Sequence, residues 1–168
     1  MKSFDAVVIG AGPGGYVCAI RLAQLGVKTA IIERENVGGV CLNVGCIASK
    51  ALIYGASLYW KLKHEAPEMG ISASGVGCDL KKLQEWKTGI VKKLTMGVTQ
   101  ILKKNGVELM MGTATFLDKN CVEVSGPDGT ETVTAGHFVV ATGSRVSEIP
   151  PLPFNGRNII TSTQALAL

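Results

Sequence analysis

Cys41 and Cys46 stand five positions apart in the stretch VGGVCLNVGCIASKAL, residues 37–52. A thiol pair at this spacing has three readings: metal ligation, two unrelated core cysteines, or a dithiol that cycles with its disulfide. Zinc needs further ligands at short spacings, and none follows here. Core packing accounts for the residue type but for nothing around it. Redox exchange is the reading the surroundings favour.

Geometry sets a condition on that chemistry. Residues five apart on a regular α-helix lie about 8.5 Å apart at Cα and about 140° apart around the axis. A disulfide needs its Cα atoms within about 7 Å. Cys41 and Cys46 can therefore bridge only if the chain between them departs from regular helix. Gly45 is placed to allow that departure, and Gly38-Gly39 keep the approach from being helical. A bridge formed on such terms is expected to be readily reduced. Thiols in the first turns of a helix favour thiolate, and Lys50 adds a cation one turn after Cys46.

A second constellation precedes the first. Gly10-Ala11-Gly12-Pro13-Gly14-Gly15 fits G-x-G-x-x-G, and Glu33 follows about 20 residues later. Gly10 allows a tight turn, Gly12 lets backbone approach a pyrophosphate, and Gly15 lets the helix sit close on the strand. The N–H groups at the helix start would hold the phosphates, and Glu33 would accept from an adenosine ribose. This pattern serves FAD and NAD alike.

These residues need elements to carry them. Asp5–Ile9 reads as a strand buried on both faces, residues 13–25 as a helix and 28–32 as a second strand. That makes a β-α-β unit with parallel strands. Residues 43–63 are helical in pattern, and a loop runs from Pro67 to Gly77. Asp79 caps a long amphipathic helix that closes at Gly106. Leu80, Leu83, Ile90, Leu94, Val98, Ile101 and Leu102 are expected on its packed face. Short strands over 107–111, 114–117, 121–124 and 132–134 read as an antiparallel meander, and 137–141 as one more buried strand. The expected class is α/β, three-layered, with a parallel sheet plus an antiparallel meander, and incomplete. Residues 1–145 are expected to form the dinucleotide-binding domain, and 146–168 a link towards a further domain.

With 168 residues, 46% apolar and 18% charged, the chain is globular in composition. Its net charge of +4 comes from dispersed lysines, read as a solvated face rather than a nucleic-acid surface. No apolar run approaches the roughly 20 residues of a membrane span. The first ten residues, MKSFDAVVIG, lack a secretory pattern, and the five cysteines then fit a reducing, cytoplasmic compartment.

Cys41-Leu42-Asn43-Val44-Gly45-Cys46-Ile47 with Ser49-Lys50 resembles the active-site signature of the class I pyridine nucleotide–disulfide oxidoreductases. Within that family the stretch is most similar to the dihydrolipoamide dehydrogenase branch. A sister branch, such as mercuric reductase, is the alternative. The resemblance covers nearly the whole chain. It implies that Cys41 is the interchange thiol and that Cys46 faces the flavin as a charge-transfer thiolate. Lys50 would sit near the flavin ring. Gly10, Gly12, Pro13, Gly14, Gly15, Glu33, Arg34, Gly39, Val40, Cys41, Ala114, Thr142, Gly143 and Ser144 would line the FAD. Electrons would pass from a dihydrolipoyl dithiol through the cysteines and FAD to NAD. The implied partner is the lipoyl-bearing protein of a 2-oxo acid dehydrogenase or glycine cleavage complex, with a homodimeric parent.

Two positions depart from the family pattern. Val40 stands where the family usually has a threonine that contacts the FAD phosphates, and Ala48 where it has proline. There is also no second G-x-G-x-x-G and no histidine base motif towards the end. The chain is therefore expected to be the N-terminal part of a longer enzyme, and as an isolated module to bind FAD weakly or not at all and catalyse nothing by itself. His64 and His137 match no family role. His64 is read as a surface residue and His137 as a satisfied strand residue.

Overall fold

The computed structural model describes residues 1–168. The chain packs as two compact units: Met1–Asn43 with Leu94–Ser147, and Val44–Lys93 with Glu148–Leu168.

The first unit is built on a six-stranded mixed sheet in the order β3-β2-β1-β6-β5-β4. Its strands are β1 (Lys2–Ile9), β2 (Thr29–Glu33), β3 (Glu108–Met111), β4 (Thr113–Asp118), β5 (Cys121–Gly126) and β6 (Gly129–Val140). β1 pairs in parallel with β2 and β6, and β2 in parallel with β3. β4, β5 and β6 pair antiparallel. Helix α1 (Pro13–Gln24) crosses from β1 to β2, with Pro13 at its first position, where a missing N–H costs nothing.

Two apolar layers sandwich the parallel strands. On one face Val7, Ala30, Ile32 and Met110 meet Val122, Val124 and Val133 of the antiparallel meander. On the other, Val8 and Ile31 meet Ala19 of α1 together with Leu102 and Val107. Alternate residues of β1 and β2 thus point into different layers, and both layers are apolar. That is why these strands read as unbroken apolar runs. Val7, Val8, Ile31 and Ile32 are almost wholly inaccessible, each burial contributing about 1.5–3 kcal/mol. Helices, parallel sheet and meander make the three layers that the pattern predicted.

The second unit is mostly helical. α3 (Cys46–Trp60) runs into a π-helical turn over Lys61–Glu65 and a 3-10 turn over Ala66–Met69. It packs on the first part of α4 (Leu80–Lys104): a Cβ on Gly55 would lie 2.7 Å from Leu83 Cδ1, and the Tyr54 and Trp86 rings stack at 6.2 Å. Asp79 Oδ1 accepts from the Lys82 N–H, the cap expected at the start of α4. The last turn, α5 (Ser162–Ala165), opens on a reciprocal cap between Thr161 and Gln164. The Lys87 ammonium donates to Leu166 O at 2.6 Å.

Five expectations need correcting. Residues 108–111 do not join the meander; they pair in parallel with β2 at the far edge of the sheet. The strands expected over 132–134 and 137–141 are not two but one, the single strand β6, which ends at Val140. One side of β6 serves the meander and the other serves β1. On α4, Leu80, Leu94 and Ile101 are exposed, and Leu102 is the one buried residue. His137, read as a satisfied strand residue, lies on β6 with its side chain exposed, since the meander's core takes its neighbours Val133 and Ala135 instead. The helical stretch Gly39–Met69, counted through a break at Gly45, is long and apolar enough to cross a membrane by length and composition alone. This corrects the expectation that no apolar stretch approaches the length of a membrane span.

Candidate functional site

The parallel strands β1, β2 and β6 all end on one side of the sheet, where the predicted dinucleotide residues gather. After β1 the chain turns at Gly10, with φ of 102°, a conformation that favours glycine. A Cβ there would strike the carbonyl of Ala141, which itself donates its N–H to Ile9 O at 2.8 Å. A Cβ on Gly15 would collide with the carbonyl of Gly10. The chain's own packing therefore demands glycine at both positions.

Gly12 and Gly14 are different. A Cβ on Gly14 would meet nothing within 4 Å, and one on Gly12 only the Gly39 Cα at 3.9 Å. Nothing within the protein requires them to be glycine, and they border open space at the start of α1. A side chain at either would fill that space. This is the cradle that a pyrophosphate group needs, so the residues present fit FAD.

Glu33, at the end of β2, is only 8% exposed. Its Oε2 accepts from the Ala11 N–H at 2.7 Å, and its Oε1 from the Glu35 N–H at 2.8 Å. It thus staples the glycine turn to β2, a task the sequence reading did not assign. Each oxygen keeps a lone pair for a ribose hydroxyl. Arg34 is exposed and pairs with Glu35 at 3.1 Å.

The thiol-bearing segment starts on the same turn. Gly38 donates its N–H to Ala11 O at 2.8 Å, and a Cβ on Gly39 would lie 2.8 Å from Gly12 Cα. Gly39 opens the short helix α2 (Gly39–Val44), which carries Val40, Cys41 and Asn43. Val40 is 63% exposed, Cys41 is half-buried, and the buried Leu42 anchors the helix. Sequence reasoning missed Asn43. Its Nδ2 donates to Val37 O at 3.0 Å and Gly39 O at 2.9 Å. The signal was its type: asparagine inside a short helix readily bonds nearby backbone.

Thr142, Gly143 and Ser144 follow β6 after Ala141 and are exposed, with Thr142 beside the Gly10 turn. Ala114 lies on β4, just past Gly112, whose N–H donates to Glu33 O at 2.8 Å. The structure thus brings Gly10–Gly15, Glu33, Gly39, Val40 and Thr142 around the ends of three strands.

Cys46 and Lys50 belong to the second unit. Cys46 opens α3 and is exposed, as is Lys50. Gly45, just before Cys46, has φ −139° and ψ −112°, which is not helical. The helical path between the two cysteines is therefore interrupted at Gly45.

Comparison with known proteins gives the family. The family model described as pyridine nucleotide-disulphide oxidoreductase matches residues 4–168. The chain belongs to this family. Among curated relatives, the dihydrolipoyl dehydrogenase of Geobacillus stearothermophilus is 53% identical over 164 residues, covering 98% of this chain and 34% of its own length. The dihydrolipoyl dehydrogenase of Bacillus subtilis is 50% identical, with the same coverage. The pyridine nucleotide-disulphide oxidoreductase chain described here therefore spans about a third of the length of these relatives. Its fold matches LpdA from Mycobacterium tuberculosis with a TM-score of 0.86 at 24% identity, covering all of this chain and 37% of that one. The flavoprotein disulfide reductase RclA of Escherichia coli gives 0.80 at 26%, covering all of this chain and 35% of that one.

Proposed function

We propose that this chain is the FAD-binding, dithiol-bearing part of a dihydrolipoyl dehydrogenase. One observation carries the reading: the helix bearing Cys41 starts directly on the dinucleotide turn, with Gly39 against Gly12 and Gly38 bonded to Ala11. Thiol chemistry and cofactor cradle are therefore built as one piece of backbone.

Gly10–Gly15 and the start of α1 hold the pyrophosphate, and Glu33 holds the ribose. When bound, FAD supplies a two-electron acceptor. The rest is sulfur exchange by the chain's own residues. With Cys41 and Cys46 bridged, one thiolate of a dihydrolipoyl group attacks the Cys41 sulfur, and Cys46 leaves as thiolate. The second substrate thiol then attacks the mixed disulfide and displaces the Cys41 thiolate. The product is the cyclic lipoyl disulfide, with two electrons left on the cysteine pair and two protons released. In a chain of the relatives' full length, NAD is the final acceptor. The partner is then the lipoyl-bearing protein of a 2-oxo acid dehydrogenase or glycine cleavage complex, met in the cytoplasm by a homodimer.

The test is spectroscopic. The chain is mixed with FAD, freed of unbound flavin, and its visible spectrum is recorded before and after dithiothreitol. Retained yellow flavin and a new long-wavelength band on reduction are expected. A colourless protein whose Cys41 and Cys46 both alkylate as thiols under oxidising conditions overturns the reading.

A further inference from the structure

Cys41 sits on a helix that cannot hold itself. α2 has six residues, whereas isolated helices shorter than about 12–15 residues are marginal in water. Its buried anchor, Leu42, fixes its depth. Asn43 adds a polar constraint. One N–H of its side-chain amide reaches Gly39 O, tying the last turn of α2 to its first residue. The other reaches Val37 O, outside the helix. The next residue, Gly38, is itself bonded to Ala11 of the dinucleotide turn. Cys41 lies between the two tied points.

The chemistry of this clamp is particular to asparagine. Both acceptors are carbonyls, so the side chain must donate twice from one nitrogen. Aspartate has no donor when ionised and would face two carbonyl oxygens. Serine has one donor, which can return to the carbonyl four residues earlier but cannot serve both acceptors.

We propose that Asn43 is a positioning residue for Cys41, holding the thiol's helix in register with the dinucleotide turn. The clamp itself is visible in the structure; its use in catalysis rests on the dithiol reading given above.

The experiment reads Cys41 alone. The chain is kept reduced and without flavin, and alkylation of each cysteine by iodoacetamide is followed by peptide mass spectrometry across a range of pH. In Asn43→Ala, the Cys41 rate should rise about tenfold through local opening, and its pH profile should move. Cys18 and Cys121, half-buried in other parts of the first unit, should keep their wild-type profiles. Asn43→Ser should fall between wild type and alanine, and it carries the comparison if Asn43→Ala does not fold. An unchanged Cys41 profile in a folded variant overturns the proposal. So does an acceleration shared by Cys18 and Cys121, which would make the amide a general stabiliser. Because no flavin is present and no bridge is allowed to form, this outcome is independent of whether the chain retains FAD.

Discussion

The Glu33 carboxylate accepts the Ala11 N–H at 2.7 Å while largely buried at the end of β2. A residue proposed to recognise ribose therefore also holds the glycine turn in shape. Its two roles separate on substitution. Glu33→Gln keeps the size but offers one carbonyl oxygen for two N–H donors. Losing a charged, buried hydrogen bond should cost about 1.5–3 kcal/mol of stability. Urea denaturation of the flavin-free chain should show this loss, since no ligand is involved. An unchanged midpoint would mean that the staple contributes nothing.

The glycines of the turn should divide into two pairs. Gly14→Ala places a methyl group in open space on a helix, where alanine is favoured by up to about 1 kcal/mol. It should leave the melting temperature equal or higher and lower FAD retention. Gly15→Ala drives its methyl into the Gly10 carbonyl and should fail to fold or melt many degrees lower. Thermal melts with and without FAD check both; equal behaviour of the two variants would contradict the division.

Gly45 interrupts the helical path between the cysteines. Gly45→Ala favours joining α2 to α3 by about 1 kcal/mol. The proposed Cys41–Cys46 bridge should then become easier to reduce, by up to about fivefold in the dithiol–disulfide equilibrium. Titration with a dithiothreitol couple, read by mass spectrometry, measures the shift. A bridge more resistant to reduction would show that the break has another purpose.

Val40 presents an exposed isopropyl group on α2, next in the chain after Gly39, which lies against Gly12. Val40→Thr restores a hydroxyl in nearly the same volume. One added hydrogen bond is worth about 0.5–1.5 kcal/mol, so FAD should bind up to about tenfold tighter. Flavin fluorescence titration decides this, and weaker binding would exclude any role of the position in holding phosphate.

Lys2 joins three strands by bonding Glu108 of β3 and Glu131 of β6, at 2.8 Å and 3.1 Å. Hydrogen bonds to Glu108 first, then Glu131, raise its pKa above the ordinary lysine value. A raised pKa means that the stabilisation is fully present at neutral pH and is lost as pH climbs through the folded value. The gap in melting temperature between wild type and Lys2→Ala should be flat through neutrality and close in the alkaline range. Because the pair is exposed, added salt should narrow it as well. A gap that widens with pH would reverse the assignment.

The β-α-β start, Glu33 and the Gly45 break were legible in the sequence because each rests on local constraint. A strand apolar on both faces, a turn with φ above zero and a spacing too long for helix can all be read from neighbours. What stayed hidden depends on pairing between distant residues. Nothing local shows that residues 108–111 pair with β2, because a short apolar run fits a parallel edge as well as a hairpin. Residues 132–141 read as two strands because Ala135-Gly136 resembles an interruption; one ladder ends there and the other continues. The double use of Asn43 and Glu33 was hidden too, since their partners are backbone groups set by the turn.

The arrival of β6 sets the order of assembly on the ribosome. Lys2 of the first strand pairs with Val133, and β6 is the last strand made. Synthesis at roughly 5–20 residues per second leaves the inner edge of β1 open for on the order of ten seconds before its neighbour emerges. A β1–β2 pair formed in that interval would have two open edges until β3 emerges and one thereafter, and any foreign strand would compete for them. Yield of this chain in a cell should therefore respond to translation speed and chaperone supply more than to the stability of the finished sheet.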